Sequence, residues 1–319
     1  MRILRFIKNW TLPIAILTGI LAYFVGTRLP LSGNTRHEIL ESIHLIQPCL
    51  LFCMLFVAFC KVKPSELRPR IWHLWLLLIQ TSIFAFCCLL LWLFPHLTAR
   101  YAVECLLLVF ICPTATACAV VTQKLGGDAA TTTTYTILIN MAVAFLAPLL
   151  LPLAHPHEGL TFLPAFLTIL GKVLPILVLP LLLAWLVRYT MPRLHGYILR
   201  TRDLAFYLWA IALSLAIAVS YRALMQSGET MMHVMVIAAV SLTACLLQFY
   251  FGRRIGRRYG HQTEGGQALG QKNTVFVIWL GYTFLSPVSA IAGGFYSIWH
   301  NVVNSYQLWK ARKESSGSR

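Results

Sequence analysis

The chain has 319 residues, of which 58% are hydrophobic and only 11% charged, with a mean hydropathy of +0.73 and a net charge of +16. Soluble domains carry about 25% charged residues, and their cores cannot absorb this much apolar surface, so the composition describes a polytopic membrane protein. The positive charge does not indicate nucleic acid, because nearly all Lys and Arg fall in short clusters between apolar runs, the way membrane topology is written.

A spanning helix needs about 20 residues, and the runs between charge clusters predict ten of them, near 10–29, 38–60, 71–94, 100–125, 128–152, 172–190, 203–223, 230–252, 262–284 and 288–310. The opening "MRILRFIKNWTLPIAILTGILAYFVG" imitates a signal peptide but lacks an A-x-A cleavage pattern and reaches spanning length, so it is read as a retained first helix. Spans four and nine are unusual. Pro113 interrupts the fourth within "ICPTATACA", removing a donor and kinking the helix, while Gly265, Gly266 and Gly270 lower the cost of unwinding the ninth. Nine cysteines are present, most of them in apolar runs (Cys87, Cys88, Cys105, Cys112, Cys245), where they behave as small hydrophobes. No CxxC pair or zinc-type Cys/His spacing occurs, so neither a metal site nor a disulfide framework is indicated.

Orientation follows from the basic residues. One side collects Arg2, Arg5, Lys8, Lys61, Lys63, Arg68, Arg70, Lys124, Arg188, Arg193, Arg200, Arg202, Arg253, Arg254, Arg257, Arg258, Lys310, Arg312, Lys313 and Arg319, 20 in all; the other has only Arg28, Arg36, Arg100 and Arg222. Both termini are therefore expected on the cytoplasmic side of a plasma (inner) membrane, with an even number of spans. Two basic residues remain. Lys172 begins the sixth span after a stretch, Leu160–Leu170, that can lie along the outer interface, and snorkelling explains it. Lys272, in "GQKNTVFVIWLGY", falls close to mid-membrane if the ninth span enters near His261. A charge there costs about 2.5–3.5 kcal/mol on insertion scales and marks a functional site by default. All ten acids fall in loops or near helix ends, so no carboxylate is expected to partner it.

The halves repeat. "LPIAIL" (Leu12–Leu17) in span one matches "LPILVL" (Leu174–Leu179) in span six, an offset of 162 residues that also sets broken span four on broken span nine and span five on span ten. Five spans is an odd number, so the halves enter the membrane in opposite senses. Inverted repeats with one discontinuous helix each are the pattern of secondary transporters, which hold ligands on the unwound segments near the midplane.

Several stretches resemble signatures of the bile acid:sodium symporter family: "CPTATACAVVT" (Cys112–Thr122), "GQKNT" (Gly270–Thr274), "FYSIWHN" (Phe295–Asn301), "IQPCLL" (Ile46–Leu51) and "KPSELR" (Lys63–Arg68). The similarity runs the length of the chain, in order. It implies an all-α protein of ten transmembrane helices in two inverted five-helix repeats, with broken helices four and nine crossing in a core domain (71–159 and 226–312) packed against a panel domain (1–70 and 160–225), and a cytoplasmic tail at 313–319. Family members move organic anions such as bile acids, steroid sulfates or pantoate by alternating access.

The resemblance also carries over the family's two sodium sites, where the chain departs from the pattern. The Ser-Asn pair after the helix-four break falls on Cys118 and Ala119, which offer no good oxygen ligand. Thr132 and Thr136 match the helix-five hydroxyls and share a face, with Asn140 one turn on. In helix nine Ala268 stands where the glutamate belongs and Lys272 where the glutamine belongs, beside Gln271, and Gln80 matches a further glutamine ligand of helix three. Glu264, one turn before Ala268, is a candidate displaced carboxylate. In the family pattern two sodium ions and one glutamate leave the crossing at +1; Lys272 alone supplies +1. The expectation is that the sodium sites are lost and that a tethered ammonium holds the broken ends as the ions do, through unwound carbonyls, Gln80, Thr132 and Thr136. By the same resemblance the substrate crevice is lined by Thr114, Ala115 and Thr116, Asn273, and the pair His300 and Asn301. Helix N-terminal backbone amides there suit an anion. Trp72, Trp75, Trp92, Trp209 and Tyr221 are read as interface belt or packing.

The function expected is secondary or facilitative transport of a small organic anion in the lipid bilayer, sodium-independent, with proton- or sodium-coupled symport as the alternative. A sodium/proton antiporter is disfavoured, since no aspartate stands at either break. A non-transporting membrane sensor is the alternative of another class, favoured by the missing sodium ligands and disfavoured by the retained Asn273, His300 and Asn301. An enzyme, a cofactor and a nucleic-acid partner are not expected. The oligomeric state is left open, and a monomer is compatible with the sequence.

Overall fold

Helices follow the apolar runs. The computed structural model describes residues 11–317 apart from 31, 157, 158, 160, 202, 203, 227 and 229. Of the residues named above, Arg2, Arg5, Lys8, Leu160, Arg202 and Arg319 lie outside the described residues. In chain order the helices are Thr11–Arg28 (α1), Gly33–Cys60 (α2), Ile71–Leu93 (α3), Arg100–Ile111 (α4), Cys118–Lys124 (α5), Ala129–Ala154 (α6), Phe162–Leu177 (α7), Leu179–Thr190 (α8), Pro192–Arg200 (α9), Leu204–Gln226 (α10), Met231–Arg258 (α11), Gln262–Gly270 (α12), Thr274–Phe284 (α13) and Pro287–Gly317 (α14), with a 3-10 turn at Pro64–Glu66. Among the described residues six stretches are long and apolar enough to cross a membrane: Glu41–Cys60, Ile71–Leu93, Ala129–Ala154, Phe162–Thr190, Tyr207–Gln226 and Met231–Arg258. The other expected spans coincide with α1, with the interrupted pairs α4/α5 and α12/α13, and with α14. The protein is an all-helical polytopic membrane protein.

Local chemistry sets the helix starts. Ser32 caps α2 by accepting from the Thr35 amide at 3.2 Å. Asp128 caps α6, its Oδ1 accepting from the amides of Ala130 at 2.8 Å and Thr131 at 3.4 Å, and Thr230 caps α11 through the His233 amide. Prolines lie within α2 (Pro48), α6 (Pro148, Pro152) and α7 (Pro175), where neighbouring helices accommodate the freed backbone groups.

The sixth span differs from expectation. Its helix starts at Phe162 rather than near Lys172, because nothing between Thr161 and Gly171 is charged and Pro164 sits in the first turn, where its missing donor costs nothing. Lys172 therefore lies inside α7. It is exposed, with its ammonium 5.6 Å from the ring centre of Phe284.

Packing groups α1 with α10, α10 with α2 and α2 with α8. It also joins α3 to α4 and α6, and α4 to α11 and α14, while α10 touches α14. The closest helix pair is α11 on α12. An added Cβ at Gly252 would stand 2.2 Å from the Gly265 carbonyl oxygen, and one at Gly256 would stand 2.1 Å from that of His261. This is the small-residue approach that brings membrane helices into backbone contact. Gly265 and Gly266, expected to loosen the ninth span, are thus helical and serve packing, and the interruption comes after Gly270. A staple closes the end opposite the arginine cluster: Arg100 donates to Glu104 at 2.9 Å and to the Ala154 carbonyl at 2.7 Å, and Glu104 accepts from the hydroxyls of Ser286 and Ser289.

Gly252→Val is expected to lower the thermal unfolding midpoint of the detergent-purified protein by many degrees. Gly171→Val, at a position with nothing within 4 Å of an added Cβ, should shift it little. Equal midpoints for the two variants would contradict the α11–α12 contact.

Candidate functional site

Two helix interruptions face each other. α4 ends at Ile111, where Pro113 cannot continue the hydrogen-bond ladder, and α5 restarts at Cys118. α12 ends at Gly270, Gln271 is extended, and α13 restarts at Thr274 behind the cap Asn273, whose Oδ1 accepts from the Phe276 amide at 3.4 Å. Between them the unwound segments form a short antiparallel bridge at Thr114 and Lys272. The Ala115 amide donates to the Gln271 carbonyl at 3.0 Å and the Asn273 amide to the Pro113 carbonyl at 2.9 Å.

Side chains satisfy three further carbonyls at the breaks. The Thr114 hydroxyl donates to Ala268 O at 2.7 Å, the Tyr296 hydroxyl to Gly270 O at 2.8 Å, and Gln80 Nε2 to Cys112 O at 2.8 Å. Backbone without such partners has no place in the hydrocarbon.

Lys272 is 1% exposed. Its Nζ donates to Gln80 Oε1 at 2.8 Å, and the same oxygen accepts from the Tyr135 hydroxyl at 3.0 Å. Gln80 thus ties the ammonium, α6 and the end of α4 through one amide. Among the described residues no carboxylate pairs with Lys272; the ion pairs lie elsewhere, at Lys63–Glu66, Arg100–Glu104, His261–Glu264 and Lys310–Glu314. The thiols of Cys112, Cys118 and Cys245 are its titratable neighbours, and all nine cysteines are free.

The other expected residues fall into four groups. Thr114, Ala115, Ala268, Gln271, Lys272 and Asn273 meet at the bridge, with Cys118 buried and Ala119 half-buried at the start of α5 and Thr116 half-buried in the interruption. Thr132 and Thr136 are buried, but their hydroxyls donate to the preceding turn, to Asp128 O at 3.0 Å and Thr132 O at 3.1 Å, with a longer bond from Thr132 to Thr122, rather than accepting from the ammonium. On α14 His300 is 5% exposed and packs edge-on against Tyr296, while half-buried Asn301 donates to its own helix at Ser297 O. Glu264 sits away from the bridge: its Oε1 accepts from the Asp128 amide at 2.8 Å and lies 3.6 Å from His261, which itself pairs with Arg70 at 2.9 Å. It binds the start of α12 to the loop before α6.

Two residues that sequence reasoning left unassigned hold the site. Tyr135 lies between Thr132 and Thr136 in the "TTTTYT" run, and Tyr296 lies within "FYSIWHN". Both are fully buried tyrosines, and a buried phenol requires a partner. Trp72 is packing, stacked at 6.4 Å on Tyr135, and Trp75 is exposed with its indole donating to Tyr259.

With this geometry in view, the family model for SBF-like CPA transporters matches residues 10–290. The chain belongs to the SBF-like CPA transporter family. It is an integral membrane transporter, acting on a small-molecule substrate, and not an enzyme. It is also similar to a protein of Bacillus subtilis (strain 168) described as an uncharacterized sodium-dependent transporter, YocS, at 26% identity over 229 residues, 70% of each chain.

Replacing Gln80 by Leu strands a buried ammonium and a buried hydroxyl, and should cost about 3 kcal/mol of stability. Adding Lys272→Met to that variant should recover part of the loss, a coupling that a double-mutant cycle measures; strictly additive effects would refute the Lys272–Gln80 bond. Lys272→Gln is likewise expected to lower the unfolding midpoint by several degrees, whereas Lys172→Gln, at an exposed site, leaves it within a degree or two.

Proposed function

We propose that this transporter moves a small organic anion by alternating access, independently of sodium, with the Lys272 ammonium standing where related carriers bind a cation. The carrying observation is the buried ammonium itself. It lies on the bridge between two interrupted helices and takes a neutral amide, Gln80, as its hydrogen-bond acceptor, with no carboxylate to cancel its charge. A site built to hold sodium would present oxygens, whereas Cys118, Ala119 and Ala268 present none from their side chains. In this reading ten helices form two inverted repeats in a plasma (inner) membrane with both termini cytoplasmic. α3–α6 and α11–α14 form the core, and α1, α2, α7, α8 and α10 form the panel.

The anion is placed beside the bridge. Asn273 Nδ2 and His300 Nδ1 are buried there without a protein partner. The start of α13 adds the positive end of its dipole. An uncompensated lysine nearby supplies the long-range attraction that a neutral amide pocket lacks. Sodium-coupled symport is the second reading, favoured by the description of the Bacillus relative as sodium-dependent.

Thermal unfolding in NaCl and in choline chloride at matched ionic strength separates the two. An ion held at 100 times its Kd stabilises the folded state by about 2.7 kcal/mol. We expect coincident midpoints in the two salts. A midpoint several degrees higher in sodium overturns the replacement and supports symport.

A further inference from the structure

A second polar feature lies beside the bridge and belongs to none of the positions discussed above as ion or substrate ligands except His300. On α14, Gly293 packs against Val277 and Ile278 of α13, and Tyr296 reaches the Gly270 carbonyl at the end of α12. One face of α14 therefore meets α12 and α13. His300, Asn304 and Gln307 follow Gly293 by seven, eleven and fourteen residues, a spacing that keeps them on this same face. Gln267 of α12 answers them: it is fully buried, and its Nε2 donates to Asn304 Oδ1 and to Gln307 Oε1, both at 3.0 Å.

The hydrogen-bond inventory of this cluster does not close. Gln267 Oε1, Asn304 Nδ2 and His300 Nδ1 have no protein partner, on residues 0%, 5% and 5% exposed. Leaving a buried amide atom unpaired is destabilising, and two helices packed dry would carry apolar side chains there. The opposite face of α14 does so, with Val302 and Tyr306 57% and 61% exposed toward the surroundings of the helix bundle. The cluster is also directional. Gln307 is half-buried and three residues from Lys310, and α12 begins just after Arg257 and Arg258. At the other end His300 packs on Tyr296, whose hydroxyl sits on Gly270 O, two residues from Lys272.

We propose that Gln267, His300, Asn304 and Gln307 line a hydrated lane between α12 and α14 that admits water from the arginine-rich end of the molecule to the bridge at Lys272. Water is the ligand class this lining selects. Its groups are neutral donors and acceptors in alternation, and a buried water is typically held by about three such bonds. The lane stands whether Lys272 replaces an ion or lies beside one.

The test is thiol accessibility in the full-length protein in sealed vesicles. Asn304→Cys and Val302→Cys are treated with the membrane-impermeant anion sulfonatoethyl methanethiosulfonate, and modification is read on the peptide by mass spectrometry, apart from the native cysteines. Asn304→Cys is expected to react at least tenfold faster than Val302→Cys, although Val302 is by far the more exposed side chain of the protein surface. It should do so only from the membrane face that also admits trypsin to Arg257–Arg258. A thiol at 304 that reacts no faster than one at 302, or reacts from neither face, overturns the lane. If Asn304→Cys does not fold, Gln267→Cys is subject to the same criterion. The sodium response of the unfolding midpoint is independent of either outcome.

Discussion

The pairing of two interrupted helices is the constraint on which the rest of the structure depends. An α-helix ending inside a membrane leaves four carbonyls without partners, and one starting there leaves four amides. Two such interruptions would be prohibitive in hydrocarbon if each had to be met separately. Here each supplies what the other lacks: Ala115 and Asn273 donate across the bridge, Thr114 caps the end of α12, and Gln80 caps the end of α4. Because the bonds cross between segments 150 residues apart in sequence, neither interruption can form without the other. The glycine contact of α11 on α12 and the phenol of Tyr296 then fix where Gly270 ends its helix.

That arrangement accounts for the tolerance of a lysine at its centre. The carbonyls of Cys112, Pro113, Ala268, Gly270 and Gln271 already accept from protein donors, and Lys272 makes its bond to the side chain of Gln80 instead. A bound ion organises a broken helix by drawing oxygens inward. A tethered ammonium carries its own charge and cannot leave. In the proposed reading this removes the thermodynamic link to an ion gradient, so the substrate gradient alone drives net movement.

Much of this was legible in the chain. Pro113 announced the first interruption because proline lacks a donor, and Gly270 announced the second, which follows it directly. Gly265 and Gly266 misled, since glycine serves both unwinding and close packing, and only the position of Gly252 and Gly256 on the neighbouring helix decides between them. Lys172 misled for a related reason: a charge reads as a boundary in sequence, yet an exposed lysine extends along its helix to an aromatic ring. The roles of Tyr135 and Tyr296 were illegible because a buried phenol shows its partner only when the backbone carbonyl or amide it reaches has been placed.

The distribution of carboxylates completes the argument. Glu104 is 3% exposed and is consumed by Arg100, Ser286 and Ser289 at one end of the molecule. Glu264 is 7% exposed and is consumed by the Asp128 amide and His261 toward the other. Each buried acid among the described residues thus closes a helix junction with local donors and is withheld from the bridge. Had either been free to reach Lys272, the pair would have been electrically neutral and the crossing would exert no long-range pull on the anion proposed as substrate. In the proposed reading, segregating acids to the ends and leaving one cation at the bridge, hydrogen-bonded to an amide, keeps a net positive centre in the region of lowest dielectric, where a single charge acts over the greatest distance.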